Sequence, residues 1–191
     1  MCGITGFARA HHDAEEARRI VKAMADRIVY RGPDGEGYYV DDQVALGHRR
    51  LSIIDLEGGK QPMFNEDGSL AVIFNGEIYN FQSLRKELIA AGHTFSTRSD
   101  TEVLLHGYEQ WGDGLPARLR GMFTFVLWDT RTRTLFGARD IFGIKPFYYY
   151  PVPDGSGLVF GSEIKAFLEH PKFVKAVNEN ALRPYLTLQY S

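Results

Sequence analysis

The 191-residue chain carries 22 lysines and arginines against 24 aspartates and glutamates, for a net charge of −2, with 44% hydrophobic and 24% charged residues. That balance fits one soluble globular domain over residues 1–191 with a well-buried core, and the absence of a basic stripe excludes a nucleic-acid partner. A single cysteine excludes an internal disulfide and suits a reducing compartment, while no run nears about eighteen apolar residues and no signal-peptide pattern opens the chain, so a cytoplasmic location with no membrane partner is expected.

The only cysteine is Cys2. Removal of Met1 would make it N-terminal, with a free α-amine of pKa about 7.7–8.0 on the same residue as the thiol that it can deprotonate. The competing reading is a small buried apolar side chain. Residues 4–8 read as a short strand interrupted by Gly6. His11 and His12 are adjacent and so diverge, and no further histidine or cysteine cluster completes a site by its spacing, so no metal is expected. Asp13 and Glu16 have capping-box spacing, and Ala17, Ile20, Val21, Met24 and Ile28 share a helical face that Gly32-Pro33 terminates.

Tyr30-Arg31-Gly32-Pro33-Asp34-Gly35 reads as a rigid turn with Arg31 and Asp34 as a supporting ion pair. Strands are expected at 37–40 and 44–48 about an Asp41-Asp42 tip. Arg49 and Arg50 follow at the mouth of an apolar run, placed either to hold a carboxylate in a guanidinium fork or as a solvated strand end. The glycine-rich segment 57–62 lacks phosphate-loop spacing. A strand over 70–74 is expected to end in Asn75-Gly76-Glu77, at a strand-to-helix junction. There an asparagine amide and a glycine N–H supply two donors suited to an oxyanion, against the alternative of an Asn-Gly turn.

Asn80 is expected to cap a helix whose apolar face is Phe81, Leu84, Leu88 and Ala91, ending at Gly92. Ser99 and Glu102 have capping-box spacing before a second helix with Leu104, Leu105, Tyr108 and Trp111 buried, which leaves the Asp100 carboxylate available for an ammonium ligand. A helical turn at 115–119 precedes strands at 122–128 and 134–138, both expected to be buried on two faces between a second sheet and helices. Arg139, Asp140 and Lys145 lie in a charged loop where structural roles are favoured over catalytic ones, strands follow at 147–150 and 158–160, Ser162 is expected to cap a helix to His170, and Asn178 to cap the last one.

Met-Cys-Gly-Ile-Thr-Gly, Gly-His-Arg-Arg-Leu-Ser-Ile-Ile-Asp, Phe-Asn-Gly-Glu-Ile-Tyr-Asn and Ser-Asp-Thr-Glu-Val-Leu occur in this order. Together they resemble the glutaminase domain of the class II glutamine amidotransferases, most closely that of the glutamine-hydrolysing asparagine synthetases. Arg-Asp-Ile-Phe-Gly-Ile-Lys-Pro-Phe-Tyr-Tyr and Gly-Ser-Glu-Ile-Lys-Ala narrow the likeness, which covers essentially the whole chain.

The resemblance implies an N-terminal-nucleophile hydrolase fold: α+β, a four-layer αββα sandwich of two antiparallel sheets flanked by helices. It implies Cys2 as nucleophile on the side-chain amide of L-glutamine, Asn75 and Gly76 as oxyanion hole, Arg50 on the substrate carboxylate, and Asp100, with backbone around Ile53, on its ammonium. Glu77 would line the same pocket. Ammonia would then serve asparagine synthesis by an ATP-dependent synthetase domain or subunit, with ATP and Mg expected only there and no cofactor here. The synthetase domain is expected to be absent from this chain, which reads as an excised half or a stand-alone glutaminase. A homodimer is a further candidate assembly. Two alternatives stay open: another ammonia acceptor, and a non-hydrolysing glutamine-binding or docking module. Tyr30 stands where many relatives carry histidine, which puts any ionisable role there in doubt.

Overall fold

The computed structural model describes residues 1–9, 13–52 and 59–189. Two antiparallel sheets form its centre. The first orders β2 (Gly35–Val40), β3 (Val44–Arg50), β1 (Gly3–Ala8), β9 (Leu158–Gly161) and β8 (Tyr148–Pro151); the second orders β4 (Met63–Phe64), β5 (Leu70–Ile78), β6 (Gly121–Asp129) and β7 (Thr134–Arg139). Three apolar layers account for the stacking. Ile4, Val44, Leu46, Ala71, Ile73, Val126 and Trp128 fill the space between the sheets. Phe7, Ala45 and Val159 pack outward against Ile20, Val21 and Met24 of α1 (Ala14–Asp26). Leu70, Val72 and Phe125 pack outward against Leu84 and Leu88 of α2 (Phe81–Ala90) and Leu104 of α3 (Glu102–Trp111). The order is helix, sheet, sheet, helix, the expected αββα sandwich.

Successive strand residues point to opposite faces, so the even positions of β3 and the odd positions of β5 both face the gap between the sheets. Cys2, two residues before Ile4, falls on that side too. Beyond these lie the short helix α4 (Leu115–Arg118) and α5 (Glu179–Leu188), none of whose residues is buried.

Several local expectations are corrected. Asn75 does not end its strand: β5 runs on to Ile78, with Asn75 opposite Thr124 and Gly76 opposite Phe123. Gly76 permits this because a Cβ there would lie 2.3 Å from the Met122 carbonyl. Asn80 occupies the cap position of α2 without capping it, since its side chain instead bridges Arg118 O and Arg120 N–H. Ser99 and Glu102 form no capping box: Thr101 holds the cap position, and the Glu102 carboxylate reaches back to the N–H and hydroxyl groups of Ser96 and Thr97. Ser162 accepts from the Ile4 N–H, and the segment after it is a 3₁₀ helix, Ile164–Glu169. β7 is an edge strand with both faces partly exposed rather than doubly buried. Asp13 and Asn178 cap their helices as expected.

Candidate active site

At one end of the space between the sheets lies a cleft of about 110 Å³ lined by Cys2, Arg50, Asn75, Gly76, Glu77 and Asp100, among others. Four elements supply them. Cys2 leads into β1, Arg50 ends the neighbouring β3, residues 75–77 belong to β5 of the opposite sheet, and Asp100 precedes α3. The expected site residues are thus brought together, apart from Ile53, which lies outside the described residues.

The Cys2 backbone is held from below by the rigid turn. Arg31 Nε donates to Cys2 O at 3.0 Å while Arg31 Nη1 pairs with Glu163 at 2.9 Å. The expected Arg31–Asp34 pair is therefore replaced; Asp34 accepts from the Ser52 N–H at 2.8 Å. The thiol accepts from the Leu51 N–H at 3.4 Å and lies 3.7 Å from Leu51 O.

Asn75 is 1% exposed and its Nδ2 has no hydrogen-bond partner among the described residues. A buried amide donor left unpaired is costly, on the order of 1–3 kcal/mol, and in a cleft wall it is a donor held ready for a ligand oxygen. One residue before it, Phe74 is fixed from two sides: its carbonyl accepts from His48 Nε2 across the sheets at 3.1 Å, and its N–H donates to Gln61 Oε1 at 2.6 Å. Burial lowers the His48 imidazole to about 4, so it is neutral at physiological pH.

Asp100 is 5% exposed, with its carboxylate accepting from the Ile78 N–H at 3.0 Å. Burial pushes its carboxyl up, the Ile78 N–H pulls it down and the neighbouring Glu77 charge pushes it up again, for a net rise. A cation entering beside Asp100 and Glu77 relieves both the burial and the like-charge cost.

The two adjacent arginines divide their roles by the pleat. Arg49 turns outward to α1 and forms ion pairs with Asp26 and Glu36, which withdraws it from carboxylate recognition, whereas Arg50 faces the cleft. Sequence reasoning missed Lys145 as a lining residue. Its backbone has the expected structural role, donating to Asp140, but its buried Nζ lies 3.2 Å from Met1 Sδ at the cleft. Gln61, which spans β5 and the start of α3 through Thr101, was also missed; a lone glutamine after a glycine-rich loop carries no sequence signal.

The family model of the glutamine amidotransferase domain matches residues 1–191. Among curated proteins, the chain is 45% identical over 192 residues to asparagine synthetase [glutamine-hydrolyzing] 1 of Bacillus subtilis, covering 100% of this chain and 30% of that protein. It is 42% identical over 167 residues to a probable asparagine synthetase [glutamine-hydrolyzing] of Dictyostelium discoideum, covering 87% of this chain and 30% of that protein. The chain therefore spans about 30% of the length of these relatives. Glutamine phosphoribosylpyrophosphate amidotransferase from B. subtilis superposes with a TM-score of 0.71 at 26% identity, over 87% of this chain and 43% of that one.

Proposed function

The chain belongs to the glutamine amidotransferase domain family, and from that premise we propose that it hydrolyses the side-chain amide of L-glutamine to glutamate and ammonia through Cys2. The observation that carries this reading is the buried Nδ2 of Asn75, unpaired among the described residues and in the same cleft as the Cys2 thiol.

With Met1 removed, the Cys2 α-amine takes the thiol proton and sulfur attacks the amide carbon. The carbonyl oxygen becomes an oxyanion that Asn75 Nδ2 and the Gly76 N–H receive, each donor contributing about 2.7–4 kcal/mol at the tetrahedral stages. The ammonium form of the amine returns its proton to the departing nitrogen, ammonia leaves, and a γ-glutamyl thioester remains. Water, deprotonated by the same amine, then releases glutamate and restores the thiol. Arg50 holds the substrate carboxylate by a charge-assisted fork, and Asp100 with Glu77 holds its ammonium. These steps use no cofactor.

We assign the ammonia to asparagine synthesis by an ATP-dependent synthetase domain or subunit, where ATP and Mg would act. Support comes from the names of the relatives and from an apolar surface suited to a partner: Ile141 is 93% exposed and Phe142 85%. No helix among the described residues is long and apolar enough to cross a membrane. A homodimer is compatible with the same surface.

The test uses protein of verified N-terminus. Chain lacking Met1 is expected to release glutamate and ammonia from L-glutamine but little from L-asparagine. Cys2→Ala is expected to release neither while retaining the native circular dichroism spectrum. Unchanged turnover in Cys2→Ala would sink the assignment.

A further inference from the structure

Outside the cleft, three side chains of metal-ligating type meet on the helical layer over the second sheet. His106 and Glu109 project from α3, and His93 follows Gly92, whose φ of +103° ends α2. Glu109 Oε2 is 3.1 Å from His106 Nδ1 and 3.4 Å from His93 Nδ1, and one donor atom from each residue lies within 4.8 Å of the other two. A tetrahedral zinc ion with bonds of about 2.0–2.1 Å sets its ligand atoms roughly 3.3–3.4 Å apart. Two edges of such a site are already near that length.

The surrounding polar groups orient these three. Asn65 Nδ2 donates to Glu109 Oε1 at 2.8 Å, which leaves Oε2 for the imidazoles. His93 Nε2 faces Gln110 Oε1 at 3.2 Å. His106 Nε2 lies 3.6 Å from Glu102 Oε1, in a carboxylate that Ser96 and Thr97 hold with four hydrogen bonds. His93 Nε2, His93 Nδ1 and His106 Nδ1 each face an acceptor oxygen, while His106 Nε2 is buried and makes no hydrogen bond among the described residues.

In the tautomer that places both N–H groups on Nε2, the two Nδ1 lone pairs and the Glu109 carboxylate converge as three donor atoms on which a divalent cation can sit. His106 is buried and Glu109 is exposed, so the cluster opens to solvent on one side.

We propose that His93, His106 and Glu109 bind one zinc ion, with a fourth position open to water, and so tie the segment after α2 to α3. The site is structural. Its benefit to the cleft is indirect, because α3 starts two residues after Asp100. Sequence spacing does not reveal it, since His93 and His106 are 13 positions apart and only the pairing of α2 with α3 joins them.

Because a thiol also binds zinc, the measurement is made on untagged, metal-stripped 191-residue chain carrying Cys2→Ala. Zinc is titrated against a chromophoric chelator, and cobalt is substituted to read the visible absorption of tetrahedral coordination. The expected result is one zinc per chain, a tetrahedral cobalt spectrum and a higher unfolding temperature with zinc. H93A and E109Q, both at the accessible edge, are expected to lose at least about 10-fold in zinc affinity together with the cobalt band. No stoichiometric binding, or binding unchanged in both variants when circular dichroism shows them folded, overturns the proposal.

Discussion

Asn75 and Arg49 show what can and cannot be read one residue at a time. The amide of Asn75 is the kind of donor an oxyanion needs, and its chemistry is legible in the sequence. In the fold Nδ2 makes no hydrogen bond among the described residues, so removing it breaks none there. Asn75→Ala is therefore expected to lower kcat about 10²–10³-fold with KM within about a few-fold and the thermal midpoint little changed. Steady-state glutamate release and a melting curve decide this, and a KM-only effect would move Asn75 from catalysis to uniform binding. Arg49 and Arg50 are chemically identical, and no residue-level argument separates them. Asp26 and Glu36 claim the first and the cleft takes the second, because adjacent strand residues face opposite ways.

At the scale of elements, β5 is the decisive one. Its hydrophobic run is plain through Phe74, and the polar triplet 75–77 reads as a terminus by composition. The strand continues because β6 supplies partners as far as Gly121 opposite Ile78, an argument unavailable to a local pattern. Gly76 is the hinge of this arrangement. A Cβ there would meet the Met122 carbonyl at 2.3 Å and Phe123 Cα at 2.7 Å, both main chain and unable to rotate away. Gly76→Ala is expected to force the β5–β6 pair apart, at a cost of about 1–3 kcal/mol and with loss of glutaminase activity, read by urea midpoint and turnover on the same preparation. Activity without destabilisation would mean that the strands yield more easily than their packing suggests. The capping errors have two causes. Asn80 and Ser162 have the right side chains to cap, but each finds a tertiary partner that competes with the local one, while Ser99 spends its hydroxyl locally on the Thr101 N–H.

For the whole molecule, the inter-sheet layer sets both stability and site. His48 bridges it by reaching Phe74 from the opposite sheet. Its imidazole is lowered by burial from 6.5 to about 4, so the unfolded chain takes up a proton below about 6.5 while the folded one refuses it until about 4. Stability from this group is full above 6.5 and is lost as pH falls through that window, by about 3 kcal/mol in all. Glu102, held at about 2 by its hydrogen bonds against the cost of burial, loses its contribution only below 4.5. His106, whose imidazole is raised, contributes in full below 6.5 and is lost only as pH rises above it. Urea midpoints between pH 6.5 and 4.5 should therefore fall mainly on account of His48, and His48→Gln should flatten that slope whatever it does to the absolute midpoint. An unchanged slope would show that the imidazole is not held neutral.

Resemblance to the amidotransferase family implied the sandwich class, while the residues themselves determined the chemical inventory, namely one cysteine at position 2, an asparagine-glycine pair and two arginines at a strand end, and the helix faces that cover the sheets. These are properties of side-chain identity and of the 2.0 and 3.6 residue periods, which are local. The tertiary structure alone decided which arginine faces the cleft, that β5 carries Asn75 into the layer between the sheets, that Lys145 and Gln61 join the site, and that His93 meets His106 and Glu109. Each of those depends on a contact between segments far apart in the chain, and such contacts are selected by packing and by competition for hydrogen bonds, neither of which leaves a period in the sequence.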